Sequence, residues 1–95
     1  MKQARLAVRS TSAFKRDYKL MMRRGRKIEL LDNVIKDLAT CSVLAAALKD
    51  HELGGKWSRY RECHIQPDWL LIYQIDLNVP VLILVRTGTH SDLFG

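Results

Sequence analysis

The sequence predicts an α+β domain: a hairpin of two helices packed on one face of a mainly antiparallel sheet, in the order β-α-α-β-β-β. Three observations carry that expectation. Apolar residues recur every three or four positions between Ala13 and Ala39, the period of an amphipathic helix. From Trp57 to Arg86 the pattern changes to short, β-branched and aromatic runs separated by turn residues, as strands require. Between the two helical stretches lies only a short link around Gly25 and Arg26, which brings the helices back to back. Ninety-five residues make one domain, spanning 1–95.

The elements follow in order. Residues 4–9 alternate loosely, with Leu6 and Val8 on one side, and read as a short strand. Ser10, Thr11 and Ser12 offer N-cap hydroxyls. In the first helix, Ala13 to Arg24, the apolar stripe is Phe14, Tyr18, Met21 and Met22, and Gly25 supplies the stop. The second helix, Lys27 to Ala39, carries Ile28, Leu31, Val34, Ile35 and Leu38 on one face. Residues 43–48 suit one more helical turn. Trp57 to Ile65 alternates as a half-buried strand, Pro67-Asp68 marks a turn, Trp69 to Asp76 is apolar enough for a central strand, and Val81 to Arg86 closes the meander. The sheet face away from the helices is then open or covered by a partner.

Charge divides the chain. Residues 1–27 hold ten Lys and Arg against one acid, Asp17, whereas residues 28–95 hold six against nine acids. A basic segment of this kind suits a polyanion such as nucleic acid, or an acidic protein segment. No run reaches the roughly 20 apolar residues of a membrane span, and the start lacks the apolar core of a secretion signal, so the chain is expected in the cytoplasm. Cys41 and Cys63 form neither a metal-ligand pattern nor a disulfide scaffold.

The three histidines fall in two stretches of the second half. One runs from Leu48 through Lys49-Asp50-His51-Glu52-Leu53 and on to Tyr60-Arg61-Glu62-Cys63-His64-Ile65-Gln66-Pro67-Asp68-Trp69. The other is the tail Arg86-Thr87-Gly88-Thr89-His90-Ser91-Asp92-Leu93-Phe94-Gly95. Together with Leu70-Leu71-Ile72-Tyr73, these stretches closely resemble YafQ toxins of the RelE/ParE superfamily. The resemblance implies a RelE-like fold and a type II toxin: a ribosome-dependent mRNA endoribonuclease, or mRNA interferase, that inhibits translation. It also implies neutralisation by a cognate antitoxin bearing a ribbon-helix-helix DNA-binding domain, and operator binding by the complex. Gly54-Gly55 and Ser58-Arg59 depart from the pattern at positions away from the proton-transfer residues.

Metal-free RNA cleavage requires a base for the 2′-hydroxyl, an acid for the 5′-oxygen and positive charge at the crowded phosphate. Histidine, with an ordinary pKa of about 6.5, suits both proton transfers. His51, His64, Asp68 and His90 are therefore the catalytic candidates. His90 is expected as the acid and either His64 or Asp68 as the base, with no metal or cofactor. The resemblance places active-site histidines at His51 and His90. Period-two alternation sets Tyr60, Glu62 and His64 on one face, and Arg86, Gly88 and His90 on one parity if the last strand stays extended. Arg86 is the candidate phosphate cation. Arg61 alternates to the face opposite His64 and is either a structural residue or an RNA-binding one that positions a phosphate. Phe94 either plugs the core or stacks a base; Trp57 and Trp69 are expected in the core. Two other functions use the same charge: a non-catalytic RNA- or ribosome-binding module, and a ParE-like toxin directed at gyrase.

Overall fold

The first helix starts where Thr11, in extended conformation, accepts the backbone N–H of Phe14 on its hydroxyl. The computed structural model describes residues 6–40, 60–76 and 78–95, and residues 51–52 by their backbone alone. Its elements are β1 (Ala7–Ser10), α1 (Ser12–Arg23), α2 (Ile28–Ala39), β2 (His51–Glu52), β3 (Arg61–Gln66), β4 (Trp69–Asp76), β5 (Val81–Gly88) and α3 (His90–Phe94). The expected helical turn at residues 43–48 and the strand start at Trp57 lie outside the described residues, as do Cys41, Gly54-Gly55 and Ser58-Arg59.

Helix α1 ends at Gly25, whose φ of 76° is costly for any residue with a Cβ. There the Gly25 N–H donates to the Met22 carbonyl and the Arg26 N–H to the Met21 carbonyl, the double closure of a Schellman turn. The chain then re-enters α2, and the Tyr18 hydroxyl donates to Asp32 Oδ1 at 2.9 Å across the two helices.

The five strands lie in the order β1-β5-β4-β3-β2. β1 runs parallel to β5, with Ala7 beside Val81; the remaining pairs are antiparallel. One face carries the core. Cys63, Trp69, Leu71, Tyr73, Leu82 and Leu84 pack with Phe14, Met21, Leu31, Val34 and Leu38 of the helix hairpin. Each fully buried aliphatic side chain contributes roughly 1.5–3 kcal/mol. Two parts of the expected stripes shift. Met22 is exposed, and the α1 position facing inward is Asp17. Val8 stands 47% exposed on the edge strand while Leu6 is buried.

On the other face, register places Glu62 beside Ile72 and Ile72 beside Arg86, and in the next row His64 beside Leu70 and Leu70 beside Gly88. Cross-strand partners share a face. This face is not bare: Leu70 and Ile72 are fully buried within the single chain. A bulge between Ile72 and Tyr73 leaves Val85 without a partner on β4, and it re-aims the end of β5 where β1 has stopped. The exposed edge there is satisfied by α1: Thr11 donates its N–H to the Leu84 carbonyl and its hydroxyl to the Val85 carbonyl, and Asp17 accepts the Thr87 N–H.

Candidate active site on the open face of the sheet

Three devices bring the candidate side chains together. The first is strand register. It sets His64 and Glu62 on the face away from the helix hairpin, and it aligns His51 of β2 with Glu62 at the level of the backbone; the His51 side chain lies outside the described residues. The second is the abrupt end of β5. The strand runs to Gly88, and Thr89 then caps α3. His90 therefore opens a helix and does not continue the strand parity of Arg86 and Gly88. The third is the turn of that helix, which places His90 and Phe94 one above the other. The His64 and His90 ring centroids are 6.2 Å apart, and so are those of His90 and Phe94. Phe94 is 44% exposed, so it is no core plug.

Helix α3 is held by a capping box. Thr89 accepts the Asp92 N–H at 3.1 Å, and Asp92 Oδ2 accepts the Thr89 N–H at 2.9 Å. Asp92 also receives both terminal nitrogens of Arg24, at 2.7 and 3.1 Å. The Arg24 contact, helped by the Thr89 N–H, holds the Asp92 carboxyl well below the usual carboxylate range against the opposing effect of burial.

Arg86 is held just as firmly. Its Nε donates to Asp17 Oδ2 at 2.6 Å and its Nη2 to Asp17 Oδ1 at 3.2 Å. The hydrogen bond to Asp17 raises the Arg86 pKa more than desolvation lowers it, so the guanidinium is charged at every working pH. Asp17 is buried, and it satisfies both oxygens with these bonds and the Thr87 N–H.

The remaining candidates sit elsewhere. Asp68 is exposed at the β3–β4 turn, where its carboxylate lies 3.9 Å from Arg26 Nη2. Arg26 in turn reaches Gln66 and stands 5.8 Å over the Trp69 ring. Trp69 is wholly buried, its indole N–H donating to Thr87 Oγ1. Arg61 pairs across the sheet with Tyr73, one residue out of phase with Glu62. Trp57 lies outside the described residues.

A cation could also be held here. Glu62, His64 and His90 each bring one ligand atom within 4.8 Å of the others. Two imidazoles and a carboxylate suit zinc, copper or nickel. His64 Nδ1 is buried and meets no hydrogen-bond partner among the described residues. A proton on Nδ1 would be an unsatisfied buried donor, so the neutral ring favours the Nε2–H tautomer.

Sequence reasoning named the histidines and Arg86 but missed their supports, Asp17, Arg24 and Asp92. One signal was present. Phe14, Asp17, Met21 and Arg24 fall at spacings of three and four, so the sole acid of the basic segment lies on the buried line of α1.

A family model described as the bacterial toxin of type II toxin–antitoxin systems, YafQ, matches residues 6–95. The chain belongs to the YafQ toxin family. The mRNA interferase toxin YafQ of Escherichia coli K12 is 40% identical over 83 residues, covering 86% of this chain and 88% of that relative. Among solved structures, the E. coli DinJ–YafQ toxin–antitoxin complex matches with a TM-score of 0.87 at 35% identity, covering 96% of this chain and 99% of the matched one. A metal-bound toxin from Helicobacter pylori matches with a TM-score of 0.88 at 43% identity, covering 94% and 99%. The two-helix hairpin on a mainly antiparallel sheet is thus the fold of the YafQ family, and the RelE-like expectation holds.

Proposed function

We propose that this YafQ-family chain is an mRNA interferase: a toxin that cuts mRNA on the ribosome, stops translation and is silenced by a cognate antitoxin. The observation that carries the reading is the His64–His90 pair with Phe94 beside it, next to an arginine fixed by a buried carboxylate. The 2′-hydroxyl attacks the adjacent phosphorus, and the P–O5′ bond breaks to leave a 2′,3′-cyclic phosphate and a 5′-hydroxyl. His90, on the exposed side of the pair, is placed to give the leaving oxygen its proton. His64 presents Nε2–H to the phosphate in its neutral form. Base duty then falls to a neighbouring group on this face, with His51 in register and Glu62 within reach. Asp68, turned toward Arg26, is the weakest of the four catalytic candidates on geometry. Arg86 faces the charge that builds on the phosphate, and Phe94 offers a stacking surface worth about 1–3 kcal/mol per base. The name of the E. coli relative supports the activity, and the DinJ–YafQ complex supports the antitoxin.

The reaction as written needs no metal. A transition-metal ion held by Glu62, His64 and His90 would tie up the imidazole that gives the proton, so it acts as an inhibitor. The basic α1 surface serves rRNA phosphates. The antitoxin is a ribbon-helix-helix protein, the complex binds operator DNA, and the toxin works in the cytoplasm, where no described helix is long and apolar enough to cross a membrane.

The test is a defined mRNA translated on purified ribosomes, with new ends mapped by primer extension. Ribosome-dependent cuts are expected, unchanged in EDTA, suppressed by added zinc, and slowed about 10²–10⁴-fold in His90→Ala. Ribosome binding that persists in His90→Ala with no cuts by the wild type would favour a non-catalytic module. DNA damage without RNA ends would favour gyrase.

A further inference from the structure

Helix α3 carries the proposed acid and the stacking ring, yet it is too weak to hold itself in place. It has five residues and none is buried, and a helix this short does not persist in water on propensity. What fixes it converges on one side chain. Asp92 closes the capping box with Thr89 and takes the fork of Arg24. It also lies against the backbone at Gly88, where a Cβ would come within 2.9 Å of the Asp92 Cβ. Arg24 is the residue just after α1, two helical turns beyond the buried Asp17, and continues the spacing of Phe14, Asp17 and Met21 out to the surface. Asp17 aims Arg86. The same rigid helix thus grips the end of β5 and the start of α3.

We propose that Arg24 and Asp92 form a positioning pair for catalysis. Through Asp92, Arg24 ties α3 to α1 and sets His90 and Phe94 against His64. Neither residue touches RNA in this role. The idea rests on the mRNA-cleaving reading for its kinetic consequence, but not for its structural one. Arg24 is 41% exposed at its side chain, so its removal spares the core.

The test uses the full chain as Arg24→Gln, Asp92→Asn and the double variant. At saturating ribosome-bound mRNA each single variant is expected to cut about ten- to a hundredfold more slowly, because a shift on the order of 1 Å at a reacting group costs that much. Half-saturation rises no further than loss of the Phe94 stack carries it, because the contacts of the basic α1 surface are intact. The double variant is no slower than the slower single, as for two ends of one contact. Independently of activity, the His90 imidazole resonance broadens and moves toward that of an unstructured histidine in every variant, while methyl resonances of Leu71 in the core stay put. Three results would overturn the proposal: an unmoved His90 resonance, additive rate losses, or weaker ribosome binding at full rate, the last making Arg24 a phosphate contact. If the wild type cuts no mRNA, the His90 spectra still decide the structural claim, so that failure stays separate.

Discussion

Thr87 accepts the Trp69 indole N–H at 2.9 Å, donates its own hydroxyl to the Leu70 carbonyl at 2.7 Å, and sends its backbone N–H to Asp17. It is 1% exposed, so no water replaces these partners. Thr87→Val keeps the shape and strands the indole N–H, and a loss of about 1–3 kcal/mol is expected in urea unfolding. Asp92 gives a pH signature. Its folded pKa lies below the ordinary value of about 4, so its contribution is fully present above that value and disappears as the pH falls through the folded pKa. Wild type and Asp92→Asn should differ in unfolding free energy at pH 6 and converge on acidification below about pH 4. Among residues, the candidate acids, bases and cations were legible from their identity. Their supports were not, because Asp17 meets Arg86 across 69 positions and a carboxylate in a basic helix advertises no partner.

Among elements, the helix hairpin, the central strand Trp69–Asp76 and the cap at Thr11 match the expectations, since each is written in local spacing or local capping chemistry. The end of the chain does not. Strand parity for Arg86, Gly88 and His90 fails because Thr89 and Asp92, three apart, satisfy each other's backbone and start a helix. Two glycines differ in kind: Gly25 serves backbone conformation alone, whereas Gly88 joins a φ of 158° to close packing. Gly25→Ala meets no atom within 4 Å but must hold φ at 76°, so it is expected to cost about 1 kcal/mol of stability in denaturant titration and leave cleavage unchanged. Gly88→Ala collides with Asp92 and is expected to slow cleavage by about tenfold or more in single-turnover assays. The reverse ranking would assign the closeness of α3 to no function.

At the scale of the molecule, the division of charge has a structural counterpart. The basic segment builds β1 and α1, and α1 reaches the site through Asp17 to Arg86 and through the following Arg24 to Asp92. The sheet face expected to be open or partner-covered proved partly sealed by the chain itself, with Leu70 and Ile72 fully buried beneath the site. Periodicity could give the parity of that face but not its burial. The parallel pairing of β1 with β5 has a temporal consequence. The first strand has nowhere to dock until Val81–Gly88 has been synthesised, and His90 follows two residues later. A nascent chain therefore lacks the ladder partner of β1 until residues 81–88 have been made. Chains stopped at Asp76 are expected to be cut by trypsin within α1 far faster than the 95-residue chain, because β1 then has no strand to dock on.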